Sequence, residues 1–343
     1  MKKTFALLSG LLAVVGCSGY KSLNVDAFAQ ALQDNKGKIQ LVDVRTADEY
    51  AEGHLDGAVI IDVEQEGFVE KAEAELSKSL PVAVYCRTGK RSATAASKLA
   101  KAGFEVLNLK GGITAWTEAA KPVFTDYVDM FVTPGGNVVR LHCLVHASVR
   151  LELGAREIEI DPVSKMAGKE IDYSAVPCPD LIFVTHEHPD HFDMNALELL
   201  GAGDSNLYTN LNCAVKADRG HAMSNGDVVR IEDLTVEAVP AYNYSDNLLA
   251  MHPKGRDNGL VMTWDGFRIY FAGDTEDIEE MKDIKDIDVA FFPCNRPTMT
   301  VDQLVRAAEI VKPRVLFPYH FGNTDVSVIP ERLEGIDVRI RPY

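Results

Sequence analysis

From residue 23 to about residue 117, short apolar runs alternate with amphipathic stretches. "IQLVDV", "GAVIIDV", "PVAVYC" and "FEVLNL" read as buried strands. "NVDAFAQALQD", "FVEKAEAEL" and "RSATAASKLAKAG" carry helical periodicity, the last stopped by Gly103. Strand and helix in strict alternation predict a small parallel sheet with flanking helices. "TEAAKPVFTDYVDM", with Pro122 at its middle, reads as a connection. Beyond residue 130 the texture changes. "NVVRLHCLVHASVRLEL", "REIEIDPV", "LTVEAVPAY", "NGLVMTW" and "FRIYFAG" are strand-like runs broken by Gly, Asn and Asp. "MNALELLGAG" and "VDQLVRAAEIVK" are helical patterns among them. Strands in two groups with helices between and after predict a sandwich under helical cover. The fold class is therefore α/β in two domains, expected at 23–120 and 130–343 with a linker at 121–129.

The chain's 343 residues support this division, because one core of that size is unusual. A net charge of −16 excludes a nucleic-acid partner, since phosphate binding needs a basic surface. The first residues alter the expected compartment. Lys2 and Lys3 precede an apolar run from Phe5 to Val15, and Gly16 stands before Cys17. Positive start, short apolar core and small residue make an export signal over residues 1–17. "LAVVGC" also resembles a bacterial lipobox, which implies a lipid on Cys17 and a body tethered in the cell envelope, outside the cytoplasmic membrane. Five further cysteines, Cys86, Cys143, Cys178, Cys213 and Cys294, are odd in number and contain no CxxC pair, so they predict no disulfide framework.

Cys86 ends the apolar run "PVAVYC" and precedes a helix predicted to open near Ser92. Arg87, Lys90, Arg91 and the helix N-terminus surround it with positive charge, which favours the thiolate. The segment resembles a rhodanese domain. "LVDVRTADEYAEGHLDGAVIID" is similar to the family's entry motif, "CRTGKRS" to its six-residue active loop and "LKGGITAW" to its closing motif. The resemblance implies that Cys86 takes a sulfane sulfur from a small-molecule donor as a persulfide, cradled by loop amides from Arg87 to Arg91. It implies that Arg87 and Arg91 stabilise the anionic donor and the persulfide. Asp43 and Arg45 of "DVR" are implied to hold the loop, with Glu49 and His54 packing and hydrogen bonding.

"THEHPDHFD" holds three of the chain's nine histidines. At a strand end, residues two apart point the same way, so His186 and His188 converge. Pro189 turns the chain and lets Asp190 and His191 face the same cavity. Three histidines and an aspartate at this spacing are a metal signal. The pattern resembles the metallo-β-lactamase superfamily over residues 130 to 343, joined by "RIYFAGDTED" and "VLFPYHFGNTD". "NGLVMTWDGFRIYFAGDTE" and "HASVRLELGAREIEIDPV" are most similar to the branch that contains the lactonase of ascorbate 6-phosphate. The resemblance implies two divalent ions: one on His186 and His188, one on Asp190, His191 and His320, and Asp274 shared. Zinc suits the imidazole-rich position, with manganese or iron the alternatives where carboxylates enter. A hydroxide held by such ions would attack a small ester, lactone or phosphoester, with Asp190 orienting it or passing on its proton. The superfamily's further histidine is replaced by Asn243 in "AVPAYNYSDN", leaving open whether Asn243 or His252 completes the first position. His142, His146 and His221 have no spacing support, though His146 lies in the matching "HASV".

The expected function is thus a membrane-tethered enzyme joining a sulfurtransferase to a dinuclear metallohydrolase. Two alternatives stand beside it: an iron persulfide dioxygenase coupled to the rhodanese chemistry, and a rhodanese domain that only docks.

Overall fold

The computed structural model describes residues 19–174 and 176–342. The export signal and Cys17 lie outside them. The chain divides into two compact units. The first holds residues up to Asp34, Ile39–Tyr50 and Ile60–Lys121, and the second holds Asn35–Lys38, Ala51–Val59 and everything from Pro122 onward.

The first unit is a parallel sheet with helices. Its strands are β1 (Lys21–Leu23), β2 (Gln40–Asp43), β3 (Val59–Ile60), β4 (Val82–Tyr85) and β5 (Val106–Leu109). They run in the order β1-β5-β4-β2-β3. The helices are α1 (Val25–Asp34), α2 (Ala47–Ala51), α3 (Phe68–Glu75), α4 (Lys90–Lys101) and α5 (Gly112–Glu118). β2, β4 and β5 are buried along their whole length, as the central strands of a parallel sheet must be. α4 opens at Lys90, two residues before the position read from sequence, because Gly89 takes φ 91° and starts the helix directly after the cysteine loop.

The second unit is built from two seven-stranded sheets. The first sheet contains β6 (Tyr127–Val132), β7 (Val138–Val145), β8 (Ser148–Leu153) and β9 (Arg156–Ile160). After a small hairpin, β10 (Lys165–Met166) and β11 (Lys169–Glu170), the same sheet adds β12 (Leu181–Val184), β13 (Leu207–Thr209) and β14 (His221–Ala222). Its order is β14-β13-β12-β9-β8-β7-β6. β6 begins at Tyr127, inside the stretch expected to be linker, and pairs with β7. The run "NVVRLHCLVHASVRLEL" is a hairpin rather than one strand: β7 and β8 turn back at His146–Ala147.

The second sheet runs β15 (Val228–Ile231), β16 (Leu234–Ala241), β17 (Asp257–Trp264), β18 (Phe267–Phe271), β19 (Val289–Pro293), β20 (Val315–Tyr319) and β21 (Asp337–Val338) in chain order. Leu141, Leu151, Ile158 and Phe183 of the first sheet meet Val236, Met262, Phe271, Phe291 and Phe317 of the second in one dry core. α6 (Met194–Leu199) and α7 (Leu211–Ala217) cover Ile182 and Val184 on the outer side of the first sheet. α8 (Val301–Val311) covers Tyr270, Phe292 and Leu316 on the outer side of the second. "VAFFP" of β19 is buried throughout because it has apolar neighbours on both faces. The result is the helix–sheet–sheet–helix sandwich expected from the sequence, with the ends of β7, β12, β18 and β20 gathered at one edge.

Candidate metal centre

Most of the histidines and aspartates of this edge follow the end of a strand. His186 and His188 follow β12, and a tight turn, in which the amides of His191 and Phe192 donate to the His188 carbonyl at 3.0 and 2.8 Å, brings Asp190 and His191 round. Asp274 follows β18 after Gly273, whose φ of 66° suits glycine and whose amide donates to the Tyr319 hydroxyl at 3.0 Å. His320 follows β20, also left-handed at φ 49°. His252 comes from the loop between β16 and β17, and His146 from the turn between β7 and β8.

Two donor groups result: His186, His188, His252 and Asp274 form one, and His146, Asp190, His191 and His320 the other, each with its donor atoms within 4.8 Å of one another. Asp274 lies between them. Its Oδ2 is 3.7 Å from His186 Nε2, 3.4 Å from His252 Nε2 and 3.4 Å from His320 Nε2, and its Oδ1 is 3.3 Å from His191 Nε2. Asp190 Oδ2 is 3.1 Å from His146 Nε2, 3.2 Å from His320 Nε2 and 4.0 Å from His191 Nε2. His186, His191, His252 and Asp274 are buried, whereas His188, Asp190 and His146 are partly exposed and mark the open side.

His252, not Asn243, joins the first group. The Asn243 amide nitrogen donates to the Leu248 carbonyl at 3.2 Å, and its backbone N–H donates to the His252 carbonyl at 2.8 Å. Asn243 therefore braces the loop that delivers the histidine. His146 is the second addition, having had no spacing support in the sequence. His142 lies elsewhere, between Asp126 and Glu152 at 2.7 and 2.9 Å.

Two carboxylates that sequence reasoning passed over hold the imidazoles in place. Asp161, after β9, accepts from His191 Nδ1 at 2.8 Å and from the hydroxyl and backbone N–H of Thr185 at 2.8 and 2.7 Å; Thr185 Oγ1 in turn meets His186 Nδ1 at 2.9 Å. Asp257 meets His252 Nδ1 at 2.9 Å and accepts from Arg256 at 2.7 and 2.8 Å. A carboxylate on Nδ1 leaves Nε2 as the free lone pair and fixes the ring, the arrangement that metal-binding histidines use.

The donors fit divalent ions. Nε2 of His186, His191 and His252 and Oδ1 of Asp274 are buried without a well-aligned hydrogen bond, a costly state for polar atoms that a cation relieves. Burial, with His191 beside it, pushes His186 well below the usual histidine range, so its lone pair is available. Burial also acts against charge on His191, but Asp274 and Asp161 outweigh it and hold its proton well above that range. A cation among these carboxylates would displace that proton.

In the first unit, Cys86 directly follows β4 and is buried, with the Gly89 amide nitrogen 3.2 Å from its sulfur. Arg87 and Lys90 are exposed. Arg91 is not free over the loop: both its terminal nitrogens donate to Glu49, at 2.8 and 2.6 Å. Asp43 accepts from Arg45 Nη2 at 2.6 Å and from its Nε and backbone N–H. The amides of Ile113 and Thr114 in α5 donate to the Cys86 and Arg87 carbonyls at 2.8 and 3.1 Å, tying the closing motif to the loop.

Residues 140–320 match the beta-lactamase superfamily domain, a span of more than half the chain. The chain belongs to that superfamily. Residues 25–119 match the rhodanese-like domain. Within the superfamily, the chain is 30% identical over 213 residues to a UPF0173 metal-dependent hydrolase of Pyrococcus furiosus, covering 58% of this chain and 92% of that one. It is 28% identical over 203 residues to a UPF0173 metal-dependent hydrolase of Natranaerobius thermophilus, covering 54% and 84%. Among solved structures, one described as a metal-dependent hydrolase from Parabacteroides distasonis superposes with a TM-score of 0.61 at 43% identity, covering 63% of this chain and 98% of that one. The matched span, residues 140–320, contains every residue of both donor groups.

Proposed function

We propose that the C-terminal unit is a dinuclear metal-dependent hydrolase of small esters, lactones or phosphoesters. His186, His188 and His252 would hold one ion, Asp190, His191 and His320 the other, and Asp274 both. The observation that carries this is the Asp274 carboxylate, whose two oxygens lie within 3.3 to 3.7 Å of histidines from both groups. The nitrogen-rich donors favour zinc. When bound, the ions supply Lewis acidity toward a carbonyl or phosphoryl oxygen and activate water. The chain's own part is then positional. Asp161 and Asp257 fix the rings of His191 and His252. Asp190, partly exposed, faces the open side, where it can orient the attacking water and accept its proton. Two donor groups sharing a carboxylate support hydrolysis over the iron dioxygenase alternative, which needs one facial set of two histidines and a carboxylate. The lactonase-like branch, supported by the stretches around Asp274 and His146, makes lactones the first substrates to try. Chelated and metal-reconstituted protein would be assayed on a nitrophenyl acetate, a bis-nitrophenyl phosphate and γ-lactones. Hydrolysis only after reconstitution, lost in Asp274→Ala, is the expected result; equal rates in the chelated protein would reject the reading.

The rhodanese domain acts, in the same proposal, as a sulfurtransferase. The Cys86 thiolate attacks the outer sulfur of a donor such as thiosulfate. A new S–S bond forms, the donor's S–S bond breaks, and sulfite leaves with the electron pair. An acceptor such as cyanide then takes the sulfur and restores the thiolate. Supporting it are the Gly89 amide at the sulfur and a loop pinned by α5. Thiocyanate formed by the wild type and absent in Cys86→Ala supports this; equal rates would leave a docking module. A lipid on Cys17 and an envelope location complete the proposal, and they rest on the sequence of residues 1–17. Transfer of the chain from membrane to soluble fraction in Cys17→Ala is the matching test.

A further inference from the structure

The ligand set just proposed leaves His146 unassigned, although it sits among those residues. It occupies the first position of the two-residue turn from β7 to β8 with φ 57°. Tight hairpin turns of this kind put glycine where φ is positive, and a side chain there costs on the order of 1 kcal/mol or more. A histidine kept in such a position points to a task for its ring. The turn also leans on its neighbour: the His320 N–H donates to the His146 carbonyl at 3.1 Å, and His320 is itself left-handed at φ 49°. These two bends bring the imidazoles to a centroid separation of 3.8 Å, with both Nε2 atoms 3.1 and 3.2 Å from the same oxygen of Asp190.

Those spacings have a simple geometric meaning. Ligands on one five-coordinate ion with bonds of about 2.0–2.1 Å stand roughly 2.9–3.5 Å apart when neighbours subtend 90–120°. His146 and His320 already stand at that spacing from Asp190 Oδ2, and His191 completes a set of four whose donor atoms lie within 4.8 Å of one another. We infer that His146 is a ligand of the second metal position, giving it three imidazoles in place of the two proposed above. The inference rests on the dinuclear reading and adds to it one donor from an element outside the histidine cluster. A third nitrogen ligand would tilt this position toward zinc or cobalt and away from manganese.

The test uses the full chain loaded with cobalt(II). Asparagine tolerates positive φ, so His146→Asn removes the imidazole with the turn kept, and His146→Gln serves as a second variant. Each variant is checked by circular dichroism and by its first metal equivalent. Wild type should bind two ions, with X-ray absorption counting three imidazoles per ion. The variants should keep the first equivalent, bind the second at least 10-fold more weakly and lose one imidazole in six. A histidine that only positions Asp190 would leave the imidazole count unchanged, and that result overturns the inference. Wild-type protein that binds fewer than two ions rejects the dinuclear reading itself, and this inference with it.

Discussion

His252 Nε2 lies 3.4 Å from Asp274 Oδ2 while its Nδ1 rests on Asp257 at 2.9 Å. His252, from the loop after β16, thus supplies the donor that Asn243, just past the end of that strand, does not.

The first prediction follows from that exchange. His252→Ala removes a donor and should lower the metal content by one ion per chain. Asn243→Ala, which removes only a brace to the Leu248 carbonyl, should keep both ions. Metal analysis after gel filtration measures both, and an Asn243 variant that lost an ion with His252 intact would reverse the assignment.

Asp257→Asn keeps the shape of the side chain but removes the charge that orients His252 and balances Arg256. Carboxylates behind metal-bound histidines contribute about 10- to 100-fold in affinity. A competing chelator should therefore extract the first ion from Asp257→Asn with an affinity lower by that factor. Asp161→Asn should do the same through His191 at the second position. Unchanged affinity in both variants would show that the rings need no such support.

Gly112 takes φ 61°, and a methyl group there would overlap the Cys86 carbonyl oxygen and come within 2.6 Å of that of Arg87. Gly112→Ala should distort the cysteine loop and cost on the order of 2 kcal/mol or more in the first unit. Thermal unfolding and the rate of thiol labelling at Cys86 report both effects, and a variant with wild-type melting and labelling would contradict the tight loop packing.

The pH dependence of stability comes from two buried groups on the first sheet of the second unit. Burial pushes the Glu159 carboxyl up to about 8, with Arg150 opposing and Glu157 adding to it. Burial and Arg150 act to lower His142, but Asp126 and Glu152 outweigh them and raise it to about 9. Both folded-state values lie above the unfolded ones, so the stability they contribute is present at low pH and is lost as pH rises. For Glu159 the loss runs from about 4.5 to about 8, and for His142 from 6.5 to about 9. Glu159→Gln stays neutral and should flatten the first part: its melting temperature relative to wild type should rise steadily between pH 5 and pH 8. A difference that does not change over that range would show that Glu159 is charged in the fold.

The same strand shows what sequence could and could not convey. "REIEI" alternates as a strand with one polar face should, yet Glu157 and Glu159 are buried, because alternation reveals the opposite face but not whether it meets water. Apolar runs such as "NGLVMTW" and "FRIYFAG" carried the sandwich, and the spacing in "THEHPDHFD" carried the cluster, since both signals are local. His146 was not legible as a donor, and His252 was legible only as an alternative to Asn243. One depends on the turn that bends back toward His320, the other on a loop held across to Asp257, and both are tertiary facts. Asp161 and Asp257 were hidden for a plainer reason: a lone aspartate is common, and only the fold brings it to an imidazole.

The central claim, two ions serving one hydrolytic site around Asp274, is tested most directly by adding metal back to chelated protein in measured steps and following hydrolysis of the best ester or lactone substrate. The rate should rise to a plateau at two equivalents per chain and stay at background in Asp274→Ala. A plateau at one equivalent, or full hydrolysis with no metal added, would contradict it.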